Sequence, residues 1–190
     1  MGQSVHAYDR NGNPHHSLSL AQAKKEGLFL SVTTMQNCLA KPALGTAVHD
    51  AIESVLRGDK KLEDIDVDLR KYVAPPVRYF KEKKFEIMDL EAPILNTEEG
   101  YGGTLDCAAR SPAGQPFCLD WKTTSFRGRK TITPYLGQPE QVAAYGAAYW
   151  GIDLINAEKV WGANAYISTD EFDENGESKL VVVSYTPTEM

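Results

Sequence analysis

Alternation of apolar and polar positions marks two strands near the middle of the chain. In Phe117-Cys-Leu-Asp-Trp-Lys-Thr-Thr124, Phe117, Leu119 and Trp121 fall on one face and Cys118, Asp120 and Lys122 on the other, because successive strand residues point to opposite sides. The first face predicts core; the second carries a carboxylate and an ammonium side by side. Upstream, Tyr101-Gly-Gly-Thr-Leu-Asp-Cys-Ala-Ala109 sets Asp106 among small residues, and the turn signal Ser111-Pro-Ala-Gly114 separates the two runs. Strands joined in this way pair as neighbours. The pairing predicts that Asp106 approaches Asp120 and Lys122, and two aspartates with a lysine at one point suggest a divalent metal and phosphate oxygens.

Helical periodicity appears on either side. Residues 44–57 carry Ala47, Val48, Ala51, Ile52, Val55 and Leu56 at helical spacing, with Gly58 as the stop. His49 and Glu53 share one face at the edge of that stripe. A lone histidine there is more often a packed or surface residue than a ligand, and Glu53 either orients it or is solvated. A short helix is predicted over Leu20 to Glu26, another follows the capping candidates Ser31, Thr33 and Thr34 through Leu39, and a turn at Arg10-Asn-Gly-Asn-Pro14 could close a small hairpin. Residues 59–68 read as an acidic linker, and Leu69 to Lys84 as a helix that Pro75-Pro76 should kink or restart. A strand follows from Phe85 to Leu95, in which Glu91 is either an exposed strand glutamate or a member of the site. A helix opened by Pro139 and Glu140 runs to Trp150, stops at Gly151 and sets Gln141 and Tyr145 four apart on one face. Gln138 is a nearby alternative to Gln141. Two last strands, Lys159 to Ser168 and Lys179 to Tyr185, flank the turn Asp173-Glu-Asn-Gly176.

Four segments, Gly45-Thr-Ala-Val-His-Asp-Ala-Ile-Glu53, Gly102-Gly-Thr-Leu-Asp106, Leu119-Asp-Trp-Lys-Thr123 and Gln141-Val-Ala-Ala-Tyr145, resemble in order and spacing the PD-(D/E)XK nuclease superfamily, and within it the RecB-like and phage exonuclease branch. The match spans roughly residues 29–150; each motif alone would be weak. The segment at 31–44 is similar to the entry segment of phage exonucleases, without the longer insertion that usually follows it. The resemblance implies an α/β fold, a central mixed β-sheet flanked by helices with a restriction-endonuclease-like αβββαβ core. It implies one nuclease domain over 1–190, with 1–43 as entry segment and 44–190 as catalytic core.

It also implies roles. His49, Asp106 and Asp120 would be metal ligands, with the carbonyl of Trp121 as a backbone ligand. Lys122 would position the attacking water or stabilise developing charge, and Glu91, Gln141 and Tyr145 would complete the catalytic set. The ion would be Mg2+ or Mn2+, hard cations suited to carboxylate oxygens. The activity would be DNA phosphodiester hydrolysis by an exonuclease acting on double- or single-stranded ends, in phage or prophage recombination or in repair, with a recombination protein as partner. An endonuclease, a CRISPR-adaptation-type nuclease and a non-catalytic nucleic-acid-binding module are the alternatives.

Composition adds bounds. At 190 residues, with 42% hydrophobic and 24% charged, a buried core can form without staples. Three cysteines, Cys38, Cys107 and Cys118, without a CxxC pair, argue against a disulfide framework or a zinc module. They are too few for the four-cysteine iron–sulfur cluster of some RecB-like nucleases, so none is expected. No apolar run approaches a membrane span, and Leu28-Phe-Leu-Ser-Val32 is too short for a signal segment. A cytoplasmic protein of a bacterial or phage-infected cell, with no membrane partner, is expected. A net charge of −6 weighs against a general nucleic-acid binder. The local exception is Thr123, Thr124, Arg127, Arg129 and Lys130, either a nucleic-acid track beside the site or a solvated loop. The sequence ends just after a strand, at Thr186-Pro-Thr-Glu-Met190, and a further C-terminal helix would lie beyond it.

Overall fold

The computed structural model describes residues 4–8, 14–19, 29–30, 32–97, 99–129, 131–135, 137–156 and 159–186. The helix expected over Leu20 to Glu26 lies outside them, as does Lys130. The chain divides into two compact units, Met1–Thr46 and Ala47–Met190. In the first, strands β1 (Ser4–Tyr8), β2 (Pro14–Ser19) and β3 (Phe29–Leu30) form an antiparallel sheet in the order β2-β1-β3. Tyr8 pairs with Pro14, so the strands on either side of the expected turn form the hairpin.

Helix α1 (Val32–Arg57) joins the two helices expected separately, one ending at Leu39 and one over 44–57. Pro42 removes one backbone donor, and one missing bond does not end a helix flanked on both sides by helix formers. The stop is as expected, with Gly58 at φ +85° and its N–H bonded to Val55 O at 3.1 Å. Val48, Ala51 and Ile52 are buried from this helix. The acidic segment that follows contains a 3-10 turn, Leu62–Asp64, and buries Ile65. Helix α2 (Val67–Lys83) starts at Asp66, whose side chain accepts from Asp68 N, and ends at Lys84 in the left-handed conformation. It runs through Pro75-Pro76 as one helix, without the restart that was one of the two expectations there. Both prolines are buried with Tyr72, Val73, Ala74, Val77 and Phe80, so apolar packing of that face offsets the backbone bonds they forgo.

The second unit is an α/β sandwich built on a five-stranded mixed sheet. Strands β4 (Glu86–Asn96), β5 (Tyr101–Arg110), β6 (Pro116–Thr124), β7 (Trp161–Phe172) and β8 (Ser178–Tyr185) lie side by side in chain order. All neighbours are antiparallel except β6 and β7. A parallel pair needs a crossover, supplied here by helices α3 (Gln138–Trp150) and α4 (Ile152–Asn156), the second of which the sequence pattern did not predict. The central mixed sheet flanked by helices is therefore present.

Strand β6 is covered on both faces, so the face that carries Asp120 contributes to the core as well as the face expected to. On one side Phe80 of α2 meets Trp121 and Phe85, with ring centroids 5.6 and 5.3 Å away, and Phe85 stacks on Phe117 at 4.9 Å. On the other, Cys118 joins Ala108, Ile94, Val142 of α3, Val160 and Tyr185. Asp120 shares the Cys118 face and is only 2% exposed. Among the described residues no helix is long and apolar enough to cross a membrane.

Phe80 is buried at the centre of the aromatic face. Phe80→Ala is expected to lower the unfolding free energy by about 3–5 kcal/mol through a cavity beneath Trp121, measured by denaturant titration.

Candidate functional site

The site forms where the sheet's regular bonding is interrupted. Strands β5 and β6 pair from Arg110↔Pro116 to Cys107↔Leu119, a register whose next step would set Asp106 against Asp120. There the Asp106 carboxylate accepts the backbone N–H of Trp121 at 2.7 Å. A side chain thus satisfies a strand donor that is buried away from water. On its other flank, Leu90↔Cys107 and Ala92↔Leu105 bracket Glu91 and Asp106 as opposed positions of β4 and β5.

Glu91 is the local anomaly. Its φ is +48° within a strand, a left-handed conformation that costs a non-glycine residue on the order of 1–2 kcal/mol. The register of β4 also shifts between Ile87 and Asp89. Arg57, from the last turn of α1, donates to Leu90 O at 2.5 Å and to Glu53 Oε1 at 2.8 Å. Glu53 is thus engaged with Arg57.

His49, Glu91 and Asp106 offer ligand atoms that all lie within 4.8 Å of one another, and His49 Nδ1 is 3.5 Å from Asp106 Oδ2. One nitrogen and two carboxylates at this spacing could hold a divalent cation after small side-chain rotations. Next to them Asp120 is bonded by Lys122 Nζ, 2.9 Å from Oδ1 and 2.8 Å from Oδ2. Asn164 Nδ2 donates to Asp120 Oδ2 at 2.8 Å.

Three carboxylates thus share a poorly solvated space with one ammonium, and the proton affinities follow. Burial lowers the His49 pKa, against the pull of Glu91 and Asp120, and so favours the neutral imidazole that can act as a ligand. Burial and then Asp106 raise Glu91. Burial and then Asp120 push Asp106 up to about 7, against the Trp121 N–H and Lys122.

The other expected residues fall around this centre. The Trp121 side chain is buried in the aromatic face. Gln141 Nε2 donates to Tyr145 OH at 3.1 Å, so the two meet on α3 as their spacing implies. Tyr145 lies over Gly103, three residues before Asp106, where an added Cβ would come within 2.5 Å of its hydroxyl. Gln138, the alternative, instead accepts from Tyr135 N and Tyr166 OH, both at 2.7 Å. Thr123 and Thr124 are half-buried at the end of β6, and Arg127 and Arg129 are exposed in the loop beyond.

That loop is held from β7. Asp170 accepts from Ser125 Oγ, from Phe126 N at 2.7 Å and from Arg127 N at 3.3 Å, and Glu171 accepts from Gly128 N at 2.5 Å. In the sequence Asp170 and Glu171 open the acidic run 170–177, and nothing local separates them from it. Asn164 was missed too, although a lone amide inside Trp161-Gly-Ala-Asn-Ala-Tyr-Ile167 is a legible signal. The chain matches no family model and no curated protein.

A carboxyl whose folded pKa stands above its ordinary 3.8 adds stability that is complete below about pH 4 and is lost as the pH rises through 7. The metal-free protein is therefore expected to weaken between pH 4 and 8. Asp106→Asn keeps an oxygen for the Trp121 N–H and removes the titration. In thermal melts without divalent ions it should exceed the parent by about 4–8 °C at pH 8, on the order of 2 kcal/mol, and by little at pH 4.

Proposed function

We propose that this protein is a metal-dependent deoxyribonuclease of the PD-(D/E)XK type, and within that type an exonuclease of the RecB-like or phage recombination kind. The observation that carries the reading is the junction of β4, β5 and β6, where His49, Glu91 and Asp106 converge beside the Asp120–Lys122 pair. A structural ion pair would account for Asp120 and Lys122 alone. It would not account for two further carboxylates and an imidazole gathered next to them, because uncompensated buried charge is costly.

The donor set gathered here, His49, Glu91 and Asp106, fits a hard divalent cation, Mg2+ or Mn2+; Asp120, beside it on Lys122 and Asn164, and the Trp121 carbonyl are the further ligands that the resemblance implies. Such an ion supplies charge neutralisation at a phosphodiester and lowers the pKa of water. The protein's own groups do the rest. The Trp121 N–H holds the Asp106 carboxylate in one orientation. Lys122, half-buried and fixed on Asp120, presents its remaining N–H donors to a phosphoryl oxygen or to the attacking water. Thr123, Thr124, Arg127 and Arg129 lead away from this point along the end of β6 and its loop. Their charge and hydroxyls suit the backbone of a DNA strand, against the protein's overall negative charge. Gln141 and Tyr145 offer an amide and a hydroxyl from α3 beside β5. We read the compartment as the cytoplasm of a bacterial or phage-infected cell, where such a substrate is found.

The test is release of acid-soluble nucleotides from linear DNA with Mn2+ or Mg2+. Release should vanish without a divalent ion, and Asp120→Ala and Lys122→Ala should each reduce it about a hundredfold or more. End-labelled linear DNA should be degraded and closed circular DNA spared. Cutting of the circle would point to an endonuclease. No release from linear, nicked or single-stranded DNA, with DNA binding retained, would overturn the enzymatic reading.

A further inference from the structure

Behind Asp120 runs a chain of buried polar groups that no step above uses. Asn164 stands beside Asp120 in the parallel register of β6 and β7 and is 0% exposed. Its neighbours along β7, Gly162, Ala163, Ala165, Tyr166 and Ile167, are also buried. An amide in such a place costs stability unless both its ends are bonded. Here both are. Nδ2 donates to Asp120 Oδ2 at 2.8 Å, and Oδ1 accepts from Tyr185 OH, at the end of β8, at 2.5 Å. An ionised carboxylate only accepts, so the amide must turn its NH2 to Asp120 and its oxygen to Tyr185, and the tyrosine must donate.

We infer that Asn164 is a positioning residue for Asp120, and that Tyr185 holds its amide in the one orientation that can do so. The inference rests on the reading of Asp120 as a metal ligand. Lys122 and Asn164 approach the carboxylate from two different residues, and together they fix the plane of a group that would otherwise rotate about its last side-chain bond. A carboxylate held this way meets a cation without first losing rotamer freedom. Partners behind a ligand commonly contribute 10–100-fold in metal affinity for this reason. Tyr166, next but one on β7, donates its hydroxyl to Gln138 Oε1 at the start of α3.

The experiment is titration of the metal-free protein with Mn2+, with the free ion read by electron paramagnetic resonance, alongside thermal unfolding of each variant without metal. Asn164→Leu removes the donor at similar volume and should weaken Mn2+ binding about 10–100-fold. Tyr185→Phe removes only the hydroxyl that orients the amide and should weaken it in the same direction by a smaller factor, about threefold or more. A purely structural amide would lower the melting temperature and leave the Mn2+ dissociation constant unchanged. That result in the folded variants, with Asp120→Ala still abolishing binding, overturns the inference. If Asn164→Leu does not fold, Tyr185→Phe decides alone, and a parental constant overturns it. If Asp120→Ala binds Mn2+ as the parent does, the metal-site reading itself fails and this inference falls with it.

Discussion

Two aspartates lie in the interior of a sheet, Asp120 2% and Asp106 8% exposed, and their need for partners organises what surrounds them. A buried carboxylate without donors costs several kcal/mol, whereas one that accepts two or three hydrogen bonds can be held there. Asp120 takes its donors from Lys122 on its own strand and Asn164 on the next. Asp106 takes the Trp121 N–H. Both arrangements require β6 to be central, and β6 is central because the α3–α4 crossover returns the chain to a parallel β7 beside it. Helix α2 closes one face of that strand through Phe80, and α3 closes part of the other through Val142. The same enclosure that excludes water from the core raises the proton affinity of Asp106, so the fold and the charge state of the site have one cause.

The edge strand behaves differently. Among the described residues β4 has a partner on one side only, and it carries the register shift and the left-handed Glu91. An edge can absorb such distortion at lower cost than a central strand, since fewer ladder bonds are lost. The distortion is braced from outside the sheet by Arg57, which reaches Leu90 O from the last turn of the helix that also carries His49. One helix thus supplies a site residue and steadies the peptide that leads into another. Backbone strain of this kind gathers where function requires it, and its position opposite Asp106 is in keeping with the proposed role of the centre.

The acidic balance of the chain also looks different once its position is known. Asp170 and Glu171 contribute to the net charge of −6, yet they bind the backbone N–H groups of the Ser125–Gly128 loop. Asp170 is held well below the usual carboxylate range, chiefly by Ser125 and assisted by the loop N–H groups. Negative charge at the end of β7 therefore fastens the segment that exposes Arg127 and Arg129.

The sequence by itself determined the strands of the second unit and the turns between them, although β7 runs to Phe172, four residues beyond the expected end at Ser168. Alternation in Phe117–Thr124, the Ser111–Gly114 turn, the glycines at 58 and 151 and the Asp173–Gly176 turn are local signals, and each is found where the pattern puts it. It also determined that Asp106, Asp120 and Lys122 meet, because one hairpin register suffices to bring them together. Gln141 and Tyr145 meet for the same kind of reason, a fixed helical spacing. Only the tertiary structure decided that β6 is buried on both faces, that Glu91 turns left-handed opposite Asp106, and that Asn164 rather than a further charge stands behind Asp120. It alone decided that Asp170 holds a loop more than forty residues away in sequence. Each of these depends on which strands become neighbours and which helices cover them. Side-chain period within one element carries no information about that choice, because the pattern repeats along the chain while the contacts run across it.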